Sequence, residues 1–234
     1  MNKEIFVNEL KKLKIEVTEE KLNKLNRFYQ LLLEWNEKIN LTTIVSYEEV
    51  YLKHFYDSLT LVKVIDLNDN LTLCDVGSGA GFPGIVLKIF FPNLKVTLID
   101  SLNKRVIYLN DVIKKLNLNG IEAIHSRMED YAKINEEKFD IITARAVANI
   151  RILSEISVRA LKIEGNLIFM KANCDEELKE IDNVLKKLSL SLIDVKKFKL
   201  PIENSNRSLV VMMKNEHTSK KFPRSIDKIK RNPL

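Results

Sequence analysis

Apolar residues recur at helical spacing through the first third of the chain and then change period. Phe6, Leu10 and Leu13 share one helical face, and Leu22, Leu25, Tyr29, Leu32, Leu33 and Ile39 form a longer stripe. Ser46 and Glu49 have capping-box spacing and predict a third helix through Val50, Leu59 and Val62. Asn68-Asp69-Asn70 is the turn that ends this part. From Leu71 short apolar runs alternate with amphipathic stretches. They predict strands at 71–76, 95–100, 121–125, 139–144 and 166–170, and helices at 84–91, 103–117, 149–162 and 176–188. Two more strands, near 191–199 and 207–213, have no helix between them, so they pair at least partly antiparallel. The expected architecture is α/β: a mostly parallel, doubly wound, seven-stranded sheet over 67–213, a helical cap at 1–66 and a tail at 214–234.

The first strand runs into Gly77-Ser78-Gly79-Ala80-Gly81-Phe82-Pro83-Gly84, and the second ends on Asp100. Strand, glycine loop, helix, strand and acid is the order by which a parallel sheet holds a nucleoside cofactor. Glycines let backbone approach the ligand, and a carboxylate at the second strand end can accept from ribose hydroxyls. A nicotinamide dinucleotide is the first rival, but its pyrophosphate would meet Asp75 just before the loop. A ribose-bearing cation fits better. Asp75, Gly77, Gly79 and Gly81 look like motif I of the Rossmann-like class I methyltransferases, whose cofactor is S-adenosylmethionine.

Composition narrows the context. Two cysteines without close partners, Cys74 and Cys174, argue against a disulfide framework or a cysteine-rich metal site. No apolar run is long enough to span a bilayer, so a cytoplasmic protein is expected, and, with no exposed coiled-coil pattern, a monomer. The net charge is +6, of which residues 214–234 carry +5, leaving about +1 for the rest. Such a tail predicts electrostatic contact with phosphates, against the plainer reading of a solvated, disordered end.

Ligands of doubly wound sheets bind beyond the strand carboxyl ends. That nominates Gly77, Gly79 and Phe82 after the first strand and Asp100, on the ribose, after the second. Met128 and Glu129 follow the third strand and would meet the adenine. Arg145 follows the fourth, in an apolar segment where a lone charge needs a partner. It would take the cofactor carboxylate through a two-pronged contact. Lys171 follows the fifth, and His54 reads as structural, with Asp57 near enough to cap or orient it.

Pyrimidine C5 methylation needs a cysteine nucleophile, and Cys74 lies inside a strand. Amino-group methylation of DNA commonly uses an Asn/Asp-Pro-Pro-Tyr/Phe block where this chain has Ala144-Arg145-Ala146-Val147. Guanine N7 carries a free lone pair and no proton, so alignment suffices without a general base. A small-molecule N-methyltransferase survives the same reasoning. So does a non-catalytic RNA-binding protein on this fold, although it would have no reason to keep the glycines.

Several blocks together resemble one family: Glu34-Trp35-Asn36 with Asn40-Leu41-Thr42; His54, Asp57, Ser58 and Leu59; Asp75 through Gly84; Asp100-Ser101 with Lys104-Arg105; Ser126-Arg127 with Glu129; Phe139-Asp140 through Ala146; and Lys171-Ala172. Over nearly its whole length the chain resembles the bacterial small-subunit ribosomal RNA guanine-N7 methyltransferases, the glucose-inhibited division protein B family. The resemblance implies methylation of N7 of guanine 527, in the decoding-region loop of 16S rRNA, from S-adenosylmethionine. It implies cofactor contacts at Gly77, Phe82, Met128, Glu129 and Arg145. It also implies that the cap and basic surfaces hold rRNA, as naked RNA or as the 30S subunit, with His54, Lys171, Arg207 and Arg224 as candidates for that face. Positioning of the guanine would fall to Arg145, Lys171 or His54. The ending departs from the family, since Ser225 rather than glycine follows Phe222-Pro223-Arg224, although Asn232-Pro233-Leu234 keeps it; whether the tail docks is left open by the sequence.

Overall fold

A computed structural model describes all of residues 1–234. Helices α1 (Lys3–Lys12) and α2 (Glu19–Asn36) open the chain. Asn2 Oδ1 caps α1 by accepting from Ile5 N at 2.9 Å, and Thr18 caps α2. The third helical run is irregular. It passes from α3 (Tyr47–Glu49) through a π-helical stretch (Val50–Tyr56) to α4 (Asp57–Leu59) and a 3-10 turn (Thr60–Lys63). Ser46 does not cap it: its hydroxyl donates to Glu49 Oε2 at 2.9 Å, and no backbone N–H is taken up. The expected capping box is therefore not formed; its two side chains bond to each other instead. A π stretch adds a residue per turn and turns His54 and Asp57 to the sheet.

The sheet comprises β1 (Thr72–Val76), β2 (Lys95–Asp100), β3 (Ile121–His125), β4 (Phe139–Arg145), β5 (Leu161–Lys171), β6 (Leu190–Lys199) and β7 (Asn206–Lys214). Their order is β3-β2-β1-β4-β5-β7-β6. The first five run parallel and β7 lies antiparallel to both neighbours, as the missing helix between β6 and β7 required. Helices α5 (Gly84–Phe90), α6 (Asn103–Lys115), α7 (Met128–Ile134), α8 (Ile150–Ser157), α9 (Asp175–Leu178) and α10 (Asp182–Leu188) connect them. The helix expected at 176–188 is two short ones, and β5 starts five residues earlier than the pattern showed. The last helix, α11 (Ile226–Arg231), lies in the tail.

Two hydrophobic cores sit on the two sheet faces. The cap has no core of its own; its Phe6, Leu25, Phe28 and Phe55 join Ile85, Leu98 and Leu109 in one cluster. Trp35 fastens it by donating to Asp111 Oδ2 at 2.7 Å. The other face is covered by α7, α8 and α10, and by the tail, which buries Phe222, Ile229 and Leu234 there. No helix is long and apolar enough to cross a membrane.

Candidate functional site

At the end of β1 the chain turns back tightly, and Gly77 N and Ser78 N both donate to Ile99 O, at 2.8 and 3.1 Å. Gly77, Gly79 and Gly81 hold φ at +67°, +54° and +91°, a region costly for side chains with a Cβ. Gly84 is needed for space: a Cβ there would lie 2.3 Å from Leu98 Cδ2 and 2.9 Å from Asp75 Oδ2. Pro83 stands as N-cap of α5 rather than its first helical residue.

Both acids flanking the loop are buried. Asp75 Oδ2 accepts from Gly84 N at 2.8 Å, while Oδ1 has no partner. Burial pushes the Asp75 carboxyl up to about 7, against the pull of Gly84 N, Arg145 and Ser78. Its folded value thus exceeds its unfolded one, so ionisation opposes folding. That penalty is full above pH 7, up to about 4 kcal/mol, and fades as pH falls towards 4. His54 acts in the opposite sense. Burial, aided by Arg145, pushes it down to about 3, so it costs stability only as pH drops below about 6.5. Asp75→Asn keeps the acceptor for Gly84 N and is expected to raise the melting temperature at pH 8. The gain should shrink steadily between pH 7 and 4 in thermal melts.

Beyond the loop lies a cleft of about 220 Å³. Gly77, Ile99, Met128, Glu129 and Val147 line it, with Ile152 and Ile156 of α8 opposite. Its wall combines these apolar residues with Ser101, Ser126, Arg127, Lys230 and Glu129; Glu129 is 6% exposed and its Oε1 has no hydrogen-bond partner. Arg127 Nη1, at 3.9 Å, stays outside hydrogen-bond reach. A buried carboxylate oxygen without a donor, at the edge of an apolar slot beside a bare glycine loop, is matched to a flat ring carrying hydrogen-bond donors. The residues present therefore fit the nucleoside part of the expected cofactor.

A second cleft, of about 410 Å³, opens between the cap and the ends of β4 and β5. Asp57, 4% exposed, ties its walls together. Asp57 Oδ2 accepts from Arg145 Nη1 at 3.1 Å and Oδ1 from Arg207 Nε at 3.0 Å. Arg145 also donates to Lys53 O at 2.9 Å and through Nη2 to His54 Nδ1 at 3.1 Å. His54 Nδ1 also lies 3.2 Å from Lys53 O, and its Nε2 meets Thr42 Oγ1 at 3.1 Å. The imidazole stacks on Phe82 with ring centres 4.5 Å apart, and the Arg145 guanidinium lies 5.2 Å from the same ring. The two clefts share the segment after β4: Arg145 and Ala146 line the second, Val147 and Ala148 the first. Ala146 makes this alternation possible with φ of +56°, a conformation no pattern in the sequence announced.

Of the residues nominated from the sequence, Gly77, Met128 and Glu129 line the first cleft and Gly79 lies in its loop. Other expectations need correction. Asp100 does not face the cleft. It is 2% exposed, and its oxygens accept from Gly79 N and Leu102 N, both at 2.9 Å, so it braces the loop. Arg145 is spent on Asp57, 88 positions away in the cap, and faces the second cleft with Phe82 behind it. Lys171 and Arg207, candidates for the rRNA face, line the second cleft and are paired there with Glu177, at 3.0 Å, and with Asp57. Arg224 is clamped in the interior by Glu155, and the tail is docked rather than loose. The arginines were visible in the sequence as charges, but their partners Asp57 and Glu155 lie 69 to 150 positions away. Ser101, Val147, Ile152 and Ile156 went unnominated, being ordinary residues without motif value.

The same fold occurs in a methyltransferase from Pyrococcus furiosus, 17% identical, with a TM-score of 0.56 over 83% of this chain and 99% of the other. It occurs also in an S-adenosylmethionine-dependent methyltransferase from Aquifex aeolicus, 22% identical, TM-score 0.52, over 72% and 93%. Ribosomal RNA small subunit methyltransferase G of Staphylococcus carnosus is 42% identical over 100% of this chain and 99% of its own. That of Desulforamulus reducens is 46% identical over 92% and 90%. Residues 21–210 match the family described as rRNA small subunit methyltransferase G. With that match across the cap and sheet and relatives aligned end to end, the chain belongs to the rRNA small subunit methyltransferase G family.

Proposed function

We propose that this protein transfers the methyl group of S-adenosylmethionine to N7 of guanine 527 in 16S rRNA. The observation that carries the reading is the pair of clefts meeting at Arg145–Ala148, the second with its charged groups already paired. The first cleft takes the adenosine half of the cofactor, its ring against Ile99 and Met128, with Glu129 Oε1 as acceptor for a ring amine or ribose hydroxyl. The bound cofactor supplies a methyl group on a positive sulfur. Asp75, poised near neutrality, gains a reason to ionise when a cation sits at the loop.

The second cleft holds the guanine. Its N7 lone pair needs no deprotonation, and His54, neutral and with Nδ1 occupied, is unsuited to act as a base. Methylation at N7 leaves the base positively charged, so an unbalanced cationic cleft would oppose it. Here Arg145 and Arg207 share Asp57, Lys171 has Glu177, and Lys53 has Glu49 and Glu203. The pairs keep their shape-giving groups while muting their field. Catalysis is then alignment and exclusion of water.

The test is transfer of labelled methyl groups to 30S subunits from cells lacking the enzyme, followed by mapping of the modified base. The expected product is 7-methylguanine at position 527. Label at another base or atom would overturn the assignment while leaving family membership intact.

A further inference from the structure

The basic tail was expected to reach for phosphates, and the structure places it elsewhere. Arg224 donates to Glu155 three times: from its backbone N at 3.1 Å, Nε at 2.7 Å and Nη2 at 2.6 Å. Glu155 is fully buried on α8, the helix that also puts Ile152 and Ile156 into the first cleft. Two residues past that anchor, Ile226 begins α11 and lines the same cleft; one turn later Lys230 does so too. Ile229 and Leu234 sink into the core beneath, against which Ile226 is also packed. Lys230 forms no ion pair within the chain.

From this placement we propose that the C-terminal segment is part of the cofactor site. Ile226 closes the apolar slot over the purine, and the Lys230 ammonium donates to an acceptor on the adenosine half. This rests on the reading of the first cleft as the S-adenosylmethionine site. The segment is pinned to the pocket's own wall by a buried ion pair, and a solvated RNA-binding arm would need no such anchor.

Binding calorimetry decides the matter on the full chain, using S-adenosylhomocysteine and 5′-methylthioadenosine, which lacks the amino-acid half. Ile226→Ala with Lys230→Ala should weaken both ligands by the same factor, roughly tenfold, since an apolar contact and a charged donor are lost. Lys230→Arg should restore most of the Lys230 share. Binding of a 16S rRNA fragment should change less than twofold. Ile226 is half-buried and Lys230 exposed, so melting temperatures should match the parent and exclude unfolding as the cause. Unchanged affinity for both nucleosides together with weakened RNA binding would overturn the proposal and return the tail to the RNA. So would a loss confined to S-adenosylhomocysteine. Failure of the unaltered protein to bind either nucleoside would sink the cofactor reading itself, an outcome distinct from both.

Discussion

Glu155→Ala is expected to destabilise the protein by about 3–5 kcal/mol, the usual cost of stripping one partner from a buried ion pair. For a chain of this size that lowers the melting midpoint by roughly 10 °C. Glu155 is wholly enclosed, and Arg224 is 15% exposed. Without the carboxylate the guanidinium keeps only Asn232 O, at 3.1 Å. It must either stay buried and underpaired or pull out, taking Phe222 and Ile229 from the core. The double variant Glu155→Leu with Arg224→Met should recover most of the loss, because apolar groups of similar volume replace a desolvated pair at little net cost. Chemical denaturation of the two variants reads both effects. A single variant within 1 kcal/mol of the parent would show that the tail is not held by this pair.

The alternation of helix and strand was legible because periodicity is a local property, and β2 and β3 agree with the pattern at both ends. The glycine loop was legible because its backbone demands are local too. What escaped was relational. Arg145 was rightly judged to need a partner, but Asp57 lies 88 residues back in the cap and nothing local pairs them. Asp100 was assigned to ribose by its position at a strand end; it is drawn inward because Gly79 N and Leu102 N, freed by the turn, need an acceptor. The tail's charge was counted as a field, when one of its arginines is consumed in the interior and one lysine faces the first cleft. Charge counts describe what a segment carries, whereas burial decides whom it meets.

Asp57→Ala is the prediction that bears most directly on methyl transfer. Its two oxygens bridge Arg145 at the end of β4 and Arg207 on β7, so one carboxylate joins the cap to both halves of the sheet. Removal leaves two guanidiniums, 14% and 19% exposed, without a counter-charge, again at about 3–5 kcal/mol. Arg145 keeps Lys53 O and His54 Nδ1 but loses the group that fixes its plane, and His54 with Phe82 loses its backing. A shift of about 1 Å in such a wall costs on the order of 100-fold in rate, so kcat should fall by that much or more. The S-adenosylhomocysteine dissociation constant should move less than threefold, because Asp57 is outside the first cleft. RNA affinity should hold or tighten, since the cleft now carries two unbalanced positive charges facing phosphates. Under the proposed transfer to N7, those same charges oppose the cation that forms, so tighter binding with slower transfer is the signature. A merely structural carboxylate would instead weaken binding and transfer together as the cap loosened.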